Sequence, residues 1–221
     1  MQALEEIRAL ISRHAKAGDG TTALANVRLR KVETATRPVN SVCEPAFALV
    51  AQGKKQTVLG ETVFEYGSGH YLVATIDLPI VSRVVRATRA EPYLAFVLTL
   101  NPSAIATLML EAATNDRRVA EPLGLALSQA SPELLDAVAR VLRLLSRPKD
   151  VAVLAPMLER EILWRLLTGE QGAMMRQIGL ADSRLSQIRR AIHWIRAHYS
   201  EPLPTAELAH VAGMSDSSFH R

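Results

Sequence analysis

Apolar positions along the chain fall into three regimes of spacing. At the start, Leu4, Ile7, Leu10 and Ile11, with His14 after them, recur at helical intervals and predict an amphipathic helix over residues 3–17, ended by Gly18. Between Leu24 and Leu100 the pattern changes to short β-rich runs, at 24–32, 46–51, 56–59, 62–66, 71–76, 81–87 and 93–100. Gly53, Gly60, the Gly67–Ser68–Gly69 cluster, Pro79 and Pro92 separate these runs at the intervals expected of a sandwich or barrel. Strands of this kind leave edges and one apolar side, which a helical layer has to cover.

From Asn101 onward the period is helical again. Asn101 or Ser103 can cap a helix running to about Thr114, and a polar segment containing Pro and Gly follows it. Ser131, Pro132 and Glu133 supply a cap, a first-position proline and a first-turn carboxylate. Leu134, Leu135, Val138, Val141, Leu142 and Leu145 then form an apolar stripe that Pro148 ends. A second leucine-rich helix is predicted from about Asp150 to Thr168, with Gly169 past its end. The two stripes suggest a helical hairpin spanning 131–168, whose spare face either covers the sheet or meets a second copy of the chain.

A further helix is predicted over 183–199, with Leu185, Ile188, Ile192 and Ile195 on one side and Arg184, Arg189, Arg190 and Arg196 largely elsewhere. These arginines are either a solvated face or phosphate contacts. In the stretch 204–221, Leu208, Ala209, Val211 and Ala212 give one short apolar face, Gly213 closes it, and Ser215 caps the next helix. Helix, glycine turn and capped helix make a helix-turn-helix pattern. With Phe219 turned inward, Ser217, His220 and Arg221 share an outward face that suits a DNA major groove.

Composition narrows the class without deciding it. A content of 48% hydrophobic and 22% charged residues fits a globular chain, and a net charge of +4 permits a polyanionic partner without requiring one. The single Cys43 excludes an internal disulfide framework and fits a reducing compartment. With no apolar run of about 18 residues, the reading is a soluble cytoplasmic protein. Of the six histidines only His70 lies in the β-rich part, too few for a metal centre there, and His193 and His198 do not share a helix face. No Walker loop, nucleophile elbow, dinucleotide fingerprint or His-Glu-x-x-His motif occurs, so neither an enzyme nor a cofactor is expected. A barrel without catalytic residues can still hold a small molecule. Its candidate lining is Phe47, Gln52, Phe64, Tyr66, Tyr71 and Tyr93, each of which also reads as plain core.

Two regions resemble the AraC-type transcriptional regulators, in the subgroup with its own bacterial effector-binding N-terminal domain. The C-terminal IRRAIHWIRAHYSEPLPTAELAHVAGMSDSSFHR is similar to the start of the family's DNA-binding domain. The segment 153–169, VLAPMLEREILWRLLTG, is similar to a stretch of its N-terminal domain, as are Gln52-Gly53-Lys54-Lys55 and 66–79. The resemblance implies an α+β fold: an N-terminal helix (1–20), a cupin-like β-barrel sensor (21–114), a helical dimerisation segment (115–180) and the start of a DNA-binding domain (181–221). It implies base contacts at Ser217, His220 and Arg221, while the proximity of Arg189, Arg190 and Arg196 to the helix-turn-helix in sequence makes them candidates for phosphate contacts. The partners it implies are operator DNA, an effector and a second copy. Pro204 stands where the family often has a capping Ser or Thr, so the first helix is expected to begin at Thr205 with a weaker cap. The family's connecting helix and second helix-turn-helix unit have no counterpart in the chain, which on its own is expected to have negligible specific DNA affinity. The rival readings are a cupin-type enzyme and a dimerisation module that binds no ligand.

Overall fold

The computed structural model describes residues 2–15, 20–112, 124–180, 184–199 and 203–214, apart from the side chains of 184–186, 188 and 189. Helix α1 (Gln2–His14) precedes eight strands: β1 (Val27–Val32), β2 (Val39–Cys43), β3 (Ala46–Gln52), β4 (Lys54–Leu59), β5 (Thr62–Gly67), β6 (His70–Ala74), β7 (Leu78–Arg86) and β8 (Tyr93–Thr99). Then come α2 (Pro102–Glu111), β9 (Leu125–Gln129), α3 (Pro132–Arg143), α4 (Pro148–Thr168), α5 (Gly172–Gly179), α6 (Arg184–His198) and α7 (Thr205–Ala212).

All strand pairings are antiparallel, in a five-stranded sheet ordered β1-β8-β3-β6-β9 and a four-stranded sheet ordered β2-β7-β4-β5. Among the described residues no ladder joins the two sheets, so the barrel of the sequence reading is an open sandwich. The chain crosses from one sheet to the other at Gly53 (φ 81°), where a Cβ would sit 2.6 Å from the Arg86 carbonyl oxygen and 3.0 Å from the Tyr93 Cα. Only glycine fits that corner.

The larger sheet is buried on both sides, and alternation along β8 shows it. Leu94, Phe96 and Leu98 enter a core shared with the helices, while Tyr93 and Ala95 enter a core between the sheets. On the helical side, Ile7 and Ile11 of α1 pack with Leu134, Val138, Val141 and Leu142 of α3. The Arg143 guanidinium donates to both carboxylate oxygens of Glu6 at 2.7 and 2.8 Å, tying the two helices together. The Asn101 side chain accepts from the Ser103 and Ala104 N–H groups to start α2, and the Ser131 hydroxyl accepts from the Leu134 N–H to start α3, which is the capping chemistry expected of both positions.

Three elements are absent from the periodicity reading. Strand β2 is an exposed edge with no apolar alternation. Strand β9 is five residues long, and α5 begins and ends on glycine. No helix among the described residues is long and apolar enough to cross a membrane.

Candidate functional site

The space between the sheets is bounded on the smaller sheet by alternate residues of β4 and β5. Tyr66 is buried there and Phe64 packs against the same cluster, opposite Tyr93 on β8. The Tyr66 hydroxyl and Thr57 Oγ1 are 3.0 Å apart, a pair buried from solvent. Burial pushes the Tyr66 phenol up to about 12, with the Thr57 hydrogen bond pulling the other way, and burial drives Tyr93 further up still.

The six candidate lining residues therefore divide. Phe64, Tyr66 and Tyr93 belong to the inter-sheet core. Phe47 and Tyr71 belong to the helical side, where their rings stand 5.3 Å apart and Phe47 meets Phe96 edge-on at 6.1 Å. Gln52 donates from Nε2 to the Pro92 carbonyl at 2.9 Å, fastening the end of β3 to the segment entering β8.

Periodicity alone did not single out Lys55, Cys43 or Asp77. Lys55 is the register partner of Tyr66 on β5 and of Val84 on β7, both buried between the sheets. Burial holds its ammonium below the usual lysine range, while burial pushes the nearby Cys43 thiol up against the opposing effect of Lys55. The available signal was period 2: Lys55 lies on the same face as Thr57 and Leu59. A lysine on that face runs against the usual exclusion of its side chain from interiors.

Helix α6 seats on one end of the sandwich. Ile192 packs against the inter-sheet cluster, and the Arg196 guanidinium meets Asp77 at 3.0 Å and Glu44 at 3.9 Å. Asp77, only 6% exposed, lies in the link between β6 and β7, so the contact reaches the interior of the β-rich part. On the opposite side α6 holds α7. Arg190 donates to the Ala212 carbonyl at 2.8 Å and Gln187 to the Gly213 carbonyl at 3.1 Å. Gly213 adopts the left-handed conformation (φ 68°), and the Met214 N–H reaches back to the Ala209 carbonyl at 2.9 Å, closing α7 as a Schellman turn. At the other end, α7 begins at Thr205 after Pro204, which provides no side-chain cap.

Of the residues expected at DNA, Arg196 is thus engaged by two carboxylates and Arg190 by a helix end. Ser217, His220, Arg221 and the Arg189 side chain lie outside the described residues. Among the described residues no three His, Cys, Asp or Glu side chains are grouped so as to hold a metal ion.

A two-sheet sandwich backed by helices, with α6 seated on one end and holding α7, defines a class: an α+β sandwich that carries a helical module. The chain belongs to the AraC-type transcriptional regulators, since the model of their N-terminal region matches residues 23–174, well over half of its length. No curated protein matches the sequence. Among solved structures, ToxT from Vibrio cholerae strain SCE256 with a bound unsaturated fatty acid is similar over 87% of this chain and 88% of its own, at 9% identity and a TM-score of 0.43. An apo form of ToxT from the same strain matches over 91% and 93%, at 9% identity and a TM-score of 0.42. The AraC-like transcriptional activator CuxR matches over 96% of this chain and 81% of its own, at 14% identity and a TM-score of 0.40.

Proposed function

We propose that this chain senses a ligand, self-associates and contacts DNA as a ligand-responsive transcription regulator. The observation that carries the reading is the seat of α6: one helix packs Ile192 on the inter-sheet core, pairs Arg196 with Asp77 and Glu44, and holds α7 through Arg190 and Gln187. A small molecule entering between the sheets alters the surface on which α6 rests. It then favours one arrangement of α6 and α7 over another by the difference in its affinity for the two. DNA contact falls to Ser217, His220, Arg221 and Arg189, and the protein works in the cytoplasm as a regulator without enzymatic activity.

Dimerisation falls to α4. The apolar stripe of α3 is used up inside the molecule, with Leu134, Val138, Val141 and Leu142 buried. On α4, by contrast, Val153 and Met157, one helical turn apart, are 67% and 63% exposed. Beside them lies a shallow groove of about 440 Å³ between α2 and α4, lined by Leu108, Met157 and Trp164. An exposed apolar stripe of this kind supports self-association through a second copy of α4.

A thermal-shift screen of the chain against a metabolite library tests the sensor reading. A ligand present at 100 times its Kd stabilises the native state by about 2.7 kcal/mol. A library in which no compound raises the melting temperature contradicts a sensor role.

A further inference from the structure

The two sheets end on β1, β9, β2 and β5, and three of these strands are guarded against pairing with another chain. Strand β1 carries Arg28, Arg30 and Lys31, and β5 carries Glu65, which pairs with Lys54. In β9 only Gln129 is exposed, and the Ser128 hydroxyl accepts from Gln171 Nε2 at 2.6 Å. Strand β2 has no such device. Val39-Asn40-Ser41-Val42-Cys43 holds no charge, proline or glycine, and its ladder with β7 runs without a register shift. Its outer edge presents backbone N–H and C=O groups that no described strand pairs, and Val39 and Val42 are 57% and 49% exposed. Just before it, the Thr36 N–H donates to the Val84 carbonyl at 3.0 Å and Thr36 Oγ1 accepts from the Val84 N–H at 2.9 Å, so the edge is fixed to β7 from its approach onward.

The sheet face beside this edge is apolar as well. Leu78 and Ile80 of β7 enter the inter-sheet core, so Pro79 and Val81 between and after them face outward. Register then sets Val63, Val58, Val81 and Asn40 in one row across the four strands, with Val42 beside Pro79 in the next. A shallow groove of about 380 Å³ lies among Asn40, Val42, Val58, Pro79 and Val81.

The charges flanking β2 select its partner. Arg37 precedes the strand and makes no ion pair among the described residues, while Glu44 follows it with a side chain 47% exposed beside Arg28 and Arg196. Two copies of β2 laid antiparallel place Arg37 of each near Glu44 of the other, whereas a parallel pair sets like charges side by side. We propose that β2 pairs antiparallel with β2 of a second copy about a two-fold axis at Ser41, joining the two four-stranded sheets into one of eight strands. Ser41 is the midpoint of the strand, so this register pairs all five residues of each copy. It sets Asn40 opposite Val42 and extends the outer row of valines into Val42 and Pro79 of the second copy. The contact is isologous and small, below the roughly 1,000 Å² of a stable interface, and therefore forms only as concentration rises. It is independent of the α4 contact, which lies beyond the larger sheet on the helical side.

Sedimentation velocity over a concentration series, with Met157→Glu present to remove the α4 contact, isolates the β2 pairing. That chain is expected to be monomeric at low concentration and to form dimers as concentration increases. Adding Ser41→Lys sets two lysines directly opposite across the axis, and because each substitution counts twice it is expected to weaken this association at least about fivefold. Ser41 is exposed, so the melting temperature of the subunit is expected to stay unchanged. As a second readout, Ser41→Cys combined with Cys43→Ser is expected to give a covalent dimer under mild oxidation. Directly opposed antiparallel residues stand about 4.5–5.5 Å apart at Cα, within the span of a disulfide. A chain that stays monomeric at every concentration and yields no covalent dimer overturns the proposal. So does association that Ser41→Lys leaves unaltered, which assigns it to another surface.

Discussion

At the scale of single residues, the inner face of β4 sets the energetics of the sandwich. Lys55 titrates below its ordinary value of 10.5 because folding desolvates it. Between its folded and unfolded values the unfolded chain binds more protons, so this group's contribution to stability rises with pH across that window. Lys55→Met keeps the stem and removes the charge. Its melting temperature is expected to exceed that of the parent at neutral pH, with the difference shrinking as pH approaches 10.5, as followed by circular dichroism. Tyr66 acts with the opposite sign. Its phenol is raised from 10 to about 12, so its contribution is fully present below the lower value and is lost as pH rises through the upper one. Parent and Lys55→Met are therefore both expected to lose stability above the ordinary tyrosine range, and a Tyr66→Phe variant to lose less of it there.

At the scale of elements, α3 and α4 show what periodicity conveys and what it omits. Both carry apolar stripes, and the caps at Ser131 and the glycine ends at 169 and 213 were readable because a few side chains decide each of them. Which stripe is spent internally was not readable. That depends on α1, whose Ile7 and Ile11 take the α3 face from far away in sequence. The free stripe is thus on α4, and Met157→Glu is expected to turn a dimer into a monomer in sedimentation equilibrium while leaving the melting temperature of the subunit nearly unchanged. An unaltered sedimentation profile contradicts the α4 interface. Helix α6 gives a second case. Its arginines looked equivalent in sequence, yet Arg196 is turned to Asp77 and Arg190 to the end of α7. Ile192 is half-buried on the inter-sheet core, so Ile192→Ala is expected to cost about 1–2 kcal/mol, below the range for a fully buried isoleucine. Hydrogen exchange in α6 and α7 should rise with that change before exchange in the sheets does.

At the scale of the whole molecule, the order of modules was legible because each has its own period: helical, then strand-like, then helical again. The burial of strands on both faces was less so. Once helices cover one side of the larger sheet, the alternation along β3 and β8 becomes a continuous apolar run, and Phe47 and Tyr71 fall on the face away from Tyr66 and Tyr93. The division of the lining residues is a consequence of that layering. The contact of α6 with Asp77 and Glu44 joins residues more than a hundred positions apart and had no local signature. It is also the feature on which the regulatory account depends. Coupling between two binding sites typically amounts to about 1–3 kcal/mol, or roughly 5- to 150-fold in affinity. The most direct measurement is the operator affinity of the chain fused to a complete AraC-type DNA-binding domain, titrated with and without each compound that stabilises the sandwich. The account predicts a change of at least about fivefold for a ligand seated between the sheets, abolished with Asp77→Asn. Equal affinity in the presence and absence of every stabilising ligand would contradict it.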